Sequence, residues 1–280
     1  MVAQLGAAAA RLPRFVKIIY KSIDELKLMR AAGEVAAAIL DEVCAAAAPG
    51  VSTWELDRLA RKLIEKHGVR SAFLGYAPGG MPAYPGVLCT SINSVIVHGI
   101  PSKRDVLKEG DIIAIDFGIF KGGFCADTAK TIRIGKVSPE RDRLVSVTER
   151  SLELAMAACV TSVRIGDIGA TVQQHVEAAG FSVVEQFVGH GVGRAMHEDP
   201  QVPNFGKFGS GKRAKAGLVI AIEPMVNAGT LDVETLDDQW TAVTRDGKDS
   251  AHFEHTVAIL EEGPWVLTRP SSKPGFLGTP

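Results

Sequence analysis

The segment DIIAIDFGIFKGGFCADTAKT, residues 111–131, constrains the fold of this chain more than any other. An apolar run, Ile112-Ile113-Ala114-Ile115, leads directly into Asp116 and continues through Phe117 and Ile119. An ionised carboxylate buried alone in such a strand is costly, so Asp116 requires a strong partner. Lys121-Gly122-Gly123 is a turn signal, and Phe124-Cys125 resumes a strand that carries Asp127. With Lys121-Gly122 as a two-residue loop, Phe120 faces Gly123 and Asp116 faces Asp127. Directly opposed antiparallel residues hold their Cβ atoms about 4.5–5.5 Å apart. Two carboxylates at that spacing repel unless they share a proton or a cation, and a bound metal is the sharper expectation.

The pattern recurs. Leu218-Val219-Ile220-Ala221-Ile222-Glu223 is again an apolar run ending in an acid, and Glu254 heads a third run through Leu260. Three such sites exceed what a solvated surface explains. A hydrophobic fraction of 46% supports a large core, and 31 Lys+Arg against 32 Asp+Glu create no basic field for DNA or an anionic membrane. Cys44, Cys89, Cys125 and Cys159 form no C-x-x-C pair, as expected of free thiols in a reducing, cytoplasmic setting. No apolar run approaches the ~20 residues of a membrane helix.

Capping boxes at Ser22-Ile23-Asp24-Glu25 and Ser52-Thr53-Trp54-Glu55 open two helices, the second ending at about His67 with Gly68 as its stop. Val87 to Val97 reads as strand–turn–strand and runs into His98-Gly99-Ile100-Pro101, before the hairpin. The order then repeats. Ser138-Pro139 starts a helix to about Val160, Gly166-Asp167 starts another to Ala179-Gly180, and strands follow at 182–188, 218–223 and 252–260. The fold expected is α+β: two related halves, 22–135 and 136–267, pack antiparallel sheets together with helices outside and a site between them. Residues 1–21, which hold no acid, are expected to be a mobile extension, with a transit-type leader as the alternative, and 268–280 a Pro/Ser/Gly tail.

His190 lies between glycines in Gly189-His190-Gly191-Val192-Gly193, which lets backbone and ligand approach closely; metal and substrate roles both remain open for it. His197, seven residues on, is out of register for an H-E-x-x-H zinc helix. Gly206 to Lys212 imitates a phosphate-binding loop, but Arg213 stands where Ser or Thr would hold magnesium, so a solvated basic loop is expected.

With SINSVIVHGIP, DFG and its second Asp eleven residues on, GHGVG with a downstream His, IEP and FEHT in place, residues 22–267 resemble the methionine aminopeptidases of the short bacterial type. The resemblance implies the pita-bread fold, with a curved antiparallel sheet and a dimetal site between pseudo-two-fold halves. It implies a metallo-exopeptidase that removes the N-terminal methionine from nascent chains with a small second residue. Asp116, Asp127, His190, Glu223 and Glu254 then correspond to ligands of two divalent ions, whether Co, Mn, Fe or Zn. Glu223 also handles the proton of the attacking water, and His98 and His197 contact substrate. Tyr84, Cys89, Met196 and Trp240 would line the methionine pocket; Met196 stands where a bulky aromatic is common.

The sequence departs from the family pattern at Cys125-Ala126, where His-Gly is usual, and at His252, where Gln is usual. His252 is expected beside the metals, where it could tune their binding. Asn93, Val95 and Ser250 match a monovalent-cation site of some members. The chain is expected to act as a cytoplasmic monomer on nascent N-termini at the ribosome, without DNA or membrane. The rival readings are an Xaa-Pro peptidase of the same fold and a non-catalytic ribosome- or RNA-binding relative.

Overall fold

Period-two alternation decides the layers. In β4 (Ile112–Lys121), Ile113, Ile115, Phe117 and Ile119 bury against α1 (Ile23–Ala46) and α2 (Thr53–His67), which leaves Asp116 for the other face. In β9 (Val219–Ile222), Ile220 and Ile222 join the core under α3 (Pro139–Ala157) and α4 (Ile165–Ala178), while Val219 and Ala221 turn inward. The helices therefore cover the convex side in both halves, and the acids face a shared concave side.

The computed structural model describes residues 18–269. The extension expected at 1–21 and the tail expected at 268–280 fall mostly outside them. Before β4 come β1 (Arg70–Ser71), β2 (Cys89–Ile92) and β3 (Val95–Val97), and after it β5 (Phe124–Arg133). The second half supplies β6 (Ser182–Val183), β7 (Gly189–Gly191), β8 (Glu198–Val202), β9 and β10 (Met225–Asn227). It continues with β11 (Val233–Thr235), β12 (Ala242–Thr244), β13 (Ser250–His252), β14 (Glu254–Leu260) and β15 (Gly263–Val266). Among the described residues the main sheet runs β1-β4-β5-β14-β9-β7-β8, with β2 on β4 and β15 on β14. Two three-stranded sheets, β13-β10-β6 and β11-β12-β3, flank it.

The halves meet along a short seam where Glu254 pairs with Ala129 and His255 with Thr128. Side chains reinforce it: Thr256 Oγ1 donates to the Asp127 carbonyl at 2.8 Å, and the Asp127 N–H returns a bond at 3.1 Å. A second tie crosses the convex face. A Cβ at Gly33 would lie 2.0 Å from the Leu267 carbonyl, so only glycine lets the chain pass over α1 there. Arg30 then donates to the carbonyls of Leu267 and Arg269.

The helix starts follow local chemistry. Ser22 and Ser52 make reciprocal boxes with Glu25 and Glu55, and Gly68 ends α2 at φ 62°. α3 stops at Ala157 rather than near Val160, and α4 is capped from Arg164, whose N–H donates to the Asp167 carboxylate at 2.8 Å.

The hairpin register differs from the expected one. Lys121 pairs with Phe124, so Gly122-Gly123 is the loop, with φ of 59° and 81°. A type I′ turn needs positive φ at both central positions, and two glycines meet that without the strain Lys121 would bear. Asp127 consequently faces Gly118, and Asp116 faces Ala129. The pairing moves by two residues, so both acids stay on one face as diagonal neighbours. Three strand limits also move. The 182–188 strand shortens to β6, because only Asn227 and Val226 partner it. The 252–260 run breaks at Phe253, which separates β13 on β10 from β14 in the main sheet. β9 ends at Ile222, before Glu223 and Pro224, and proline cannot donate to a ladder.

Candidate metal centre and substrate cleft

Five side chains converge at the floor of a cleft of about 440 Å³ on the concave face. Asp116 comes from mid-β4, Asp127 from β5, Glu254 from the head of β14, His190 from mid-β7 and Glu223 from the turn after β9. Ligand atoms of Asp127, His190 and Glu254 all lie within 4.8 Å of one another, and His190 Nε2 is 3.5 Å from Glu223 Oε1. His190 Nδ1 sits 2.9 Å from the Gly191 carbonyl, which accepts its proton and leaves Nε2 free as a donor atom to a metal. Asn204 Nδ2 donates to the Glu223 carbonyl at 3.0 Å and fixes that turn.

The electrostatics of this floor demand positive charge. Burial, then the Asp127 charge, pushes the Asp116 carboxyl well above the usual range. Burial, then Asp116 and Asp127, does the same to Glu223, and burial with Asp127, Glu223 and Asp116 to Glu254. Burial alone pushes Asp127 up to about 7, against the pull of the Thr128 N–H. Burial holds His190 down at about 3. Asp116 Oδ1, Asp127 Oδ1 and Glu254 Oε1 are buried with no hydrogen-bond partner among the described residues. Buried carboxylate oxygens without partners, beside a neutral imidazole, are what divalent cations satisfy, so the residues present fit the group.

Above the floor, the walls are apolar. Tyr84, Cys89, Met196 and Trp240 pack in one cluster with Phe73, and Tyr76 and Met81 lean on it. Tyr84 crosses Trp240 edge to face at 5.1 Å, and its hydroxyl donates to the Gly99 carbonyl at 2.9 Å. His98 stands at φ 60° with its ring against Phe187 at 5.3 Å and Trp240 at 6.0 Å; burial holds it near 4. His197 lies across the cleft, with its ring centroid 4.2 Å from that of His190 and Nδ1 2.7 Å from the Tyr76 hydroxyl. Its turn is held by Glu198, whose carboxylate accepts the Arg194 N–H at 2.8 Å and pairs with buried Lys21 at 2.6 Å.

The sequence reading did not find Tyr76, Phe187, Asn204 or the Lys21–Glu198 pair. No local pattern marks them, since each depends on residues far apart in the chain. Cys125 is buried at the floor's edge, and its N–H donates to the Gly193 carbonyl at 2.7 Å. His252 is buried on β13, held down at about 3 by burial and then by His98, with Nε2 unpartnered among the described residues. Asn93 and Ser250 come together through a 2.8 Å bond from the Ser250 N–H to the Asn93 carbonyl, and Val95 opens β3 beside them. Residues 206–212 form an exposed loop packed on α4 through Gly166.

Oxygen-rich donors with one imidazole, set beneath an apolar wall, make a site for divalent-metal chemistry on a substrate with an apolar side chain. The model of metallopeptidase family M24 matches residues 27–261, and the chain belongs to that family. A methionine aminopeptidase of Clostridium perfringens is 47% identical over 251 residues, spanning 90% of this chain and 98% of its own length. The solved methionine aminopeptidase of Thermotoga maritima superposes with a TM-score of 0.87 at 42% identity, covering 90% of this chain and all 100% of that one. A prolidase of Pyrococcus furiosus shares the fold at a TM-score of 0.72, but at 20% identity and over 66% of its own chain.

Proposed function

We propose that this chain removes the N-terminal methionine from peptides and nascent proteins whose second residue is small. The convergence of Asp127, His190 and Glu254 under the Tyr84–Trp240 wall carries this reading. Asp116, Asp127, His190, Glu223 and Glu254 would hold two divalent ions, of Mn, Fe, Co or Zn. Bound there, such ions polarise the peptide carbonyl and lower the pKa of water towards ~7.

The chain's own groups do the rest. The methionine side chain enters the apolar cluster of Tyr84, Cys89, Met196 and Trp240, where burial replaces water around the thioether. Depth is limited by the floor, so only the first residue fits and the scissile bond lies over the carboxylates. Glu223, which neighbouring cations would keep ionised, takes the proton of the attacking water at its carboxylate and passes it to the departing amine. His98 and His197, whose pKa values desolvation lowers, hydrogen-bond the scissile amide and the oxygen on which negative charge develops. Phe187 and Trp240 close around His98 and keep bulk water from it. The enzyme acts on chains emerging from the ribosome, as a cytoplasmic monomer.

The test uses metal-stripped protein and the peptides Met-Ala-Ser and Leu-Ala-Ser. Mn²⁺, Fe²⁺, Co²⁺ and Zn²⁺ are added back singly. Methionine release restored by at least one cation, with Leu-Ala-Ser untouched, is the expected result. Folded protein that binds two equivalents of cation and releases no methionine would overturn the reading.

A further inference from the structure

The Tyr76 hydroxyl lies 2.7 Å from His197 Nδ1 at the mouth of the cleft, and nothing in the mechanism above uses it. Each partner is held independently of the other. On one side, residues 76–84 form a loop with a closed neck: the Tyr84 N–H donates to the Tyr76 carbonyl, the Gly75 N–H to the Tyr84 carbonyl, and the Tyr76 N–H to the Phe73 carbonyl, each at 2.9 Å. On the other, the Glu198 carboxylate gathers the N–H groups of Arg194 and Ala195 at 2.8 and 3.3 Å, with Lys21 as its counter-charge. The two rings sit 5.4 Å apart with a 36° tilt, so the bond is made without reach or strain from either chain segment.

A neutral imidazole carries one N–H, and the partner of one nitrogen decides which nitrogen bears it. A phenol is the better donor and an imidazole nitrogen the better acceptor, so the proton between them belongs to Tyr76. Half-burial raises the tyrosine above its ordinary value and keeps that proton in place. Nδ1 is thereby an acceptor, and the imidazole proton is placed on Nε2.

We infer that Tyr76 is a positioning residue: by donating to Nδ1 it fixes His197 as the Nε2–H tautomer and in the orientation that presents this N–H to substrate. Without the hydroxyl, His197 would divide between tautomers. The Nδ1–H form offers substrate a lone pair where charge develops, and contributes nothing to its stabilisation. The effect falls on the reacting complex more than on binding, because the apolar wall that holds methionine is untouched. This inference rests on the methionine-removing reading for its kinetic consequence, though not for the tautomer.

The experiment therefore has two arms. In the first, ring-¹⁵N-labelled histidine is introduced and the His197 nitrogens are read by NMR in metal-free wild type, Tyr76→Phe and Tyr76→Leu. Wild type is expected to show a pyrrole-type Nε2 and a pyridine-type Nδ1; Tyr76→Phe should show averaged shifts, with His98 unchanged as the control for folding. In the second, Tyr76→Phe in the metal-loaded enzyme is expected to lower kcat about tenfold with KM on Met-Ala-Ser moved less than about twofold, the size usual for removing a partner that orients an active imidazole. If Tyr76→Phe matches wild type in both arms and only Tyr76→Leu is impaired, Tyr76 is merely a wall of the cleft and the inference falls. Wild-type His197 as the Nδ1–H tautomer would overturn it outright. Absence of methionine release by wild type with every cation would count against the proposed activity alone, since the NMR arm still reads the bond.

Discussion

The two halves deliver their acids to the floor in opposite ways. The first half uses a single hairpin, ten residues in each strand and paired from Ile112–Arg133 to Lys121–Phe124, so Asp116 and Asp127 are fixed by an unbroken ladder. The second half uses interruptions. His190 sits at a register shift in the pairing of β7 with β8, Glu223 follows the last residue of β9, and Glu254 begins β14 directly after the break at Phe253. A ladder gives rigidity but points every second residue the same way. Interruptions let side chains from three separate segments turn towards one point. Rigid donors on one side and re-aimed donors on the other give a site that is both held and shaped.

The largest effect should come from the re-aimed side. Glu223→Gln removes the proposed proton acceptor while leaving the Asn204 bond to its backbone, and kcat is expected to fall by ~10²–10⁴ with the melting temperature little changed. Steady-state kinetics beside a thermal melt checks this; a loss below tenfold would assign the proton to another group. The ladder side is probed through Gly118, which faces Asp127. A Cβ there would stand 2.8 Å from the Phe73 ring and 3.0 Å from Asp127 Oδ1. Gly118→Ala should therefore weaken cation binding by ~10–100-fold in calorimetric titration, as disturbing the surroundings of a ligand does. Unchanged affinity would mean that the ladder tolerates displacement.

The pH response probes both sides together. In cation-free protein Asp116, Glu223 and Glu254 are held well above the usual range, so the folded state keeps protons that the unfolded state gives up. For acids raised in this way, stability is lost as pH rises through the folded values. Above about pH 6.5 unfolded histidines are neutral too, so buried His98, His190 and His252 no longer act in the opposite sense. The melting temperature of cation-free protein should fall as pH rises above about 6.5. Added Mn²⁺ should flatten the slope. A flat profile without cation would show that the carboxylates do not repel. The smallest effect belongs to the hairpin tip: Gly123→Ala, at φ 81°, should cost about 1–2 kcal/mol and shift the melt by a few degrees without changing kcat. Lys121→Gly should cost about 0.5–1 kcal/mol, because Lys121 is a paired strand residue and glycine weakens a strand. A stabilising Lys121→Gly beside a neutral Gly123→Ala would restore the Lys121-Gly122 loop.

The same contrast explains what could be read from the residues. Acids embedded in apolar runs, and Ser…Glu boxes at helix starts, are local signals, so the strands carrying Asp116 and Glu254, the strand leading to Glu223 and the starts of α1 and α2 were legible. The hairpin tip was misplaced by one residue because Lys-Gly and Gly-Gly both read as turns, and only the demand for two positive φ values separates them. Strand ends in the second half were not legible, since β6 stops where its partner stops and β13 parts from β14 at an apolar residue that looks like its neighbours. The Tyr76–His197 bond joins positions 121 residues apart, and the Lys21–Glu198 pair joins positions 177 apart. Neither leaves a trace in local sequence.

The seam between the halves also sets an order in time. The Asp127 N–H meets the Thr256 hydroxyl across 129 residues of chain, so this contact closes a long loop. Long-range closures carry their entropic cost before they return any contact, and they form late. During synthesis from the N-terminus, the hairpin with Asp116 and Asp127 is complete while Glu254 is still untranslated. A growing chain can thus hold two of the five proposed cation donors for the whole synthesis of the second half. Cation capture at the proposed centre would wait for the final strands, and because binding energy at such a centre adds to folding energy, it would lock the molecule at its last step.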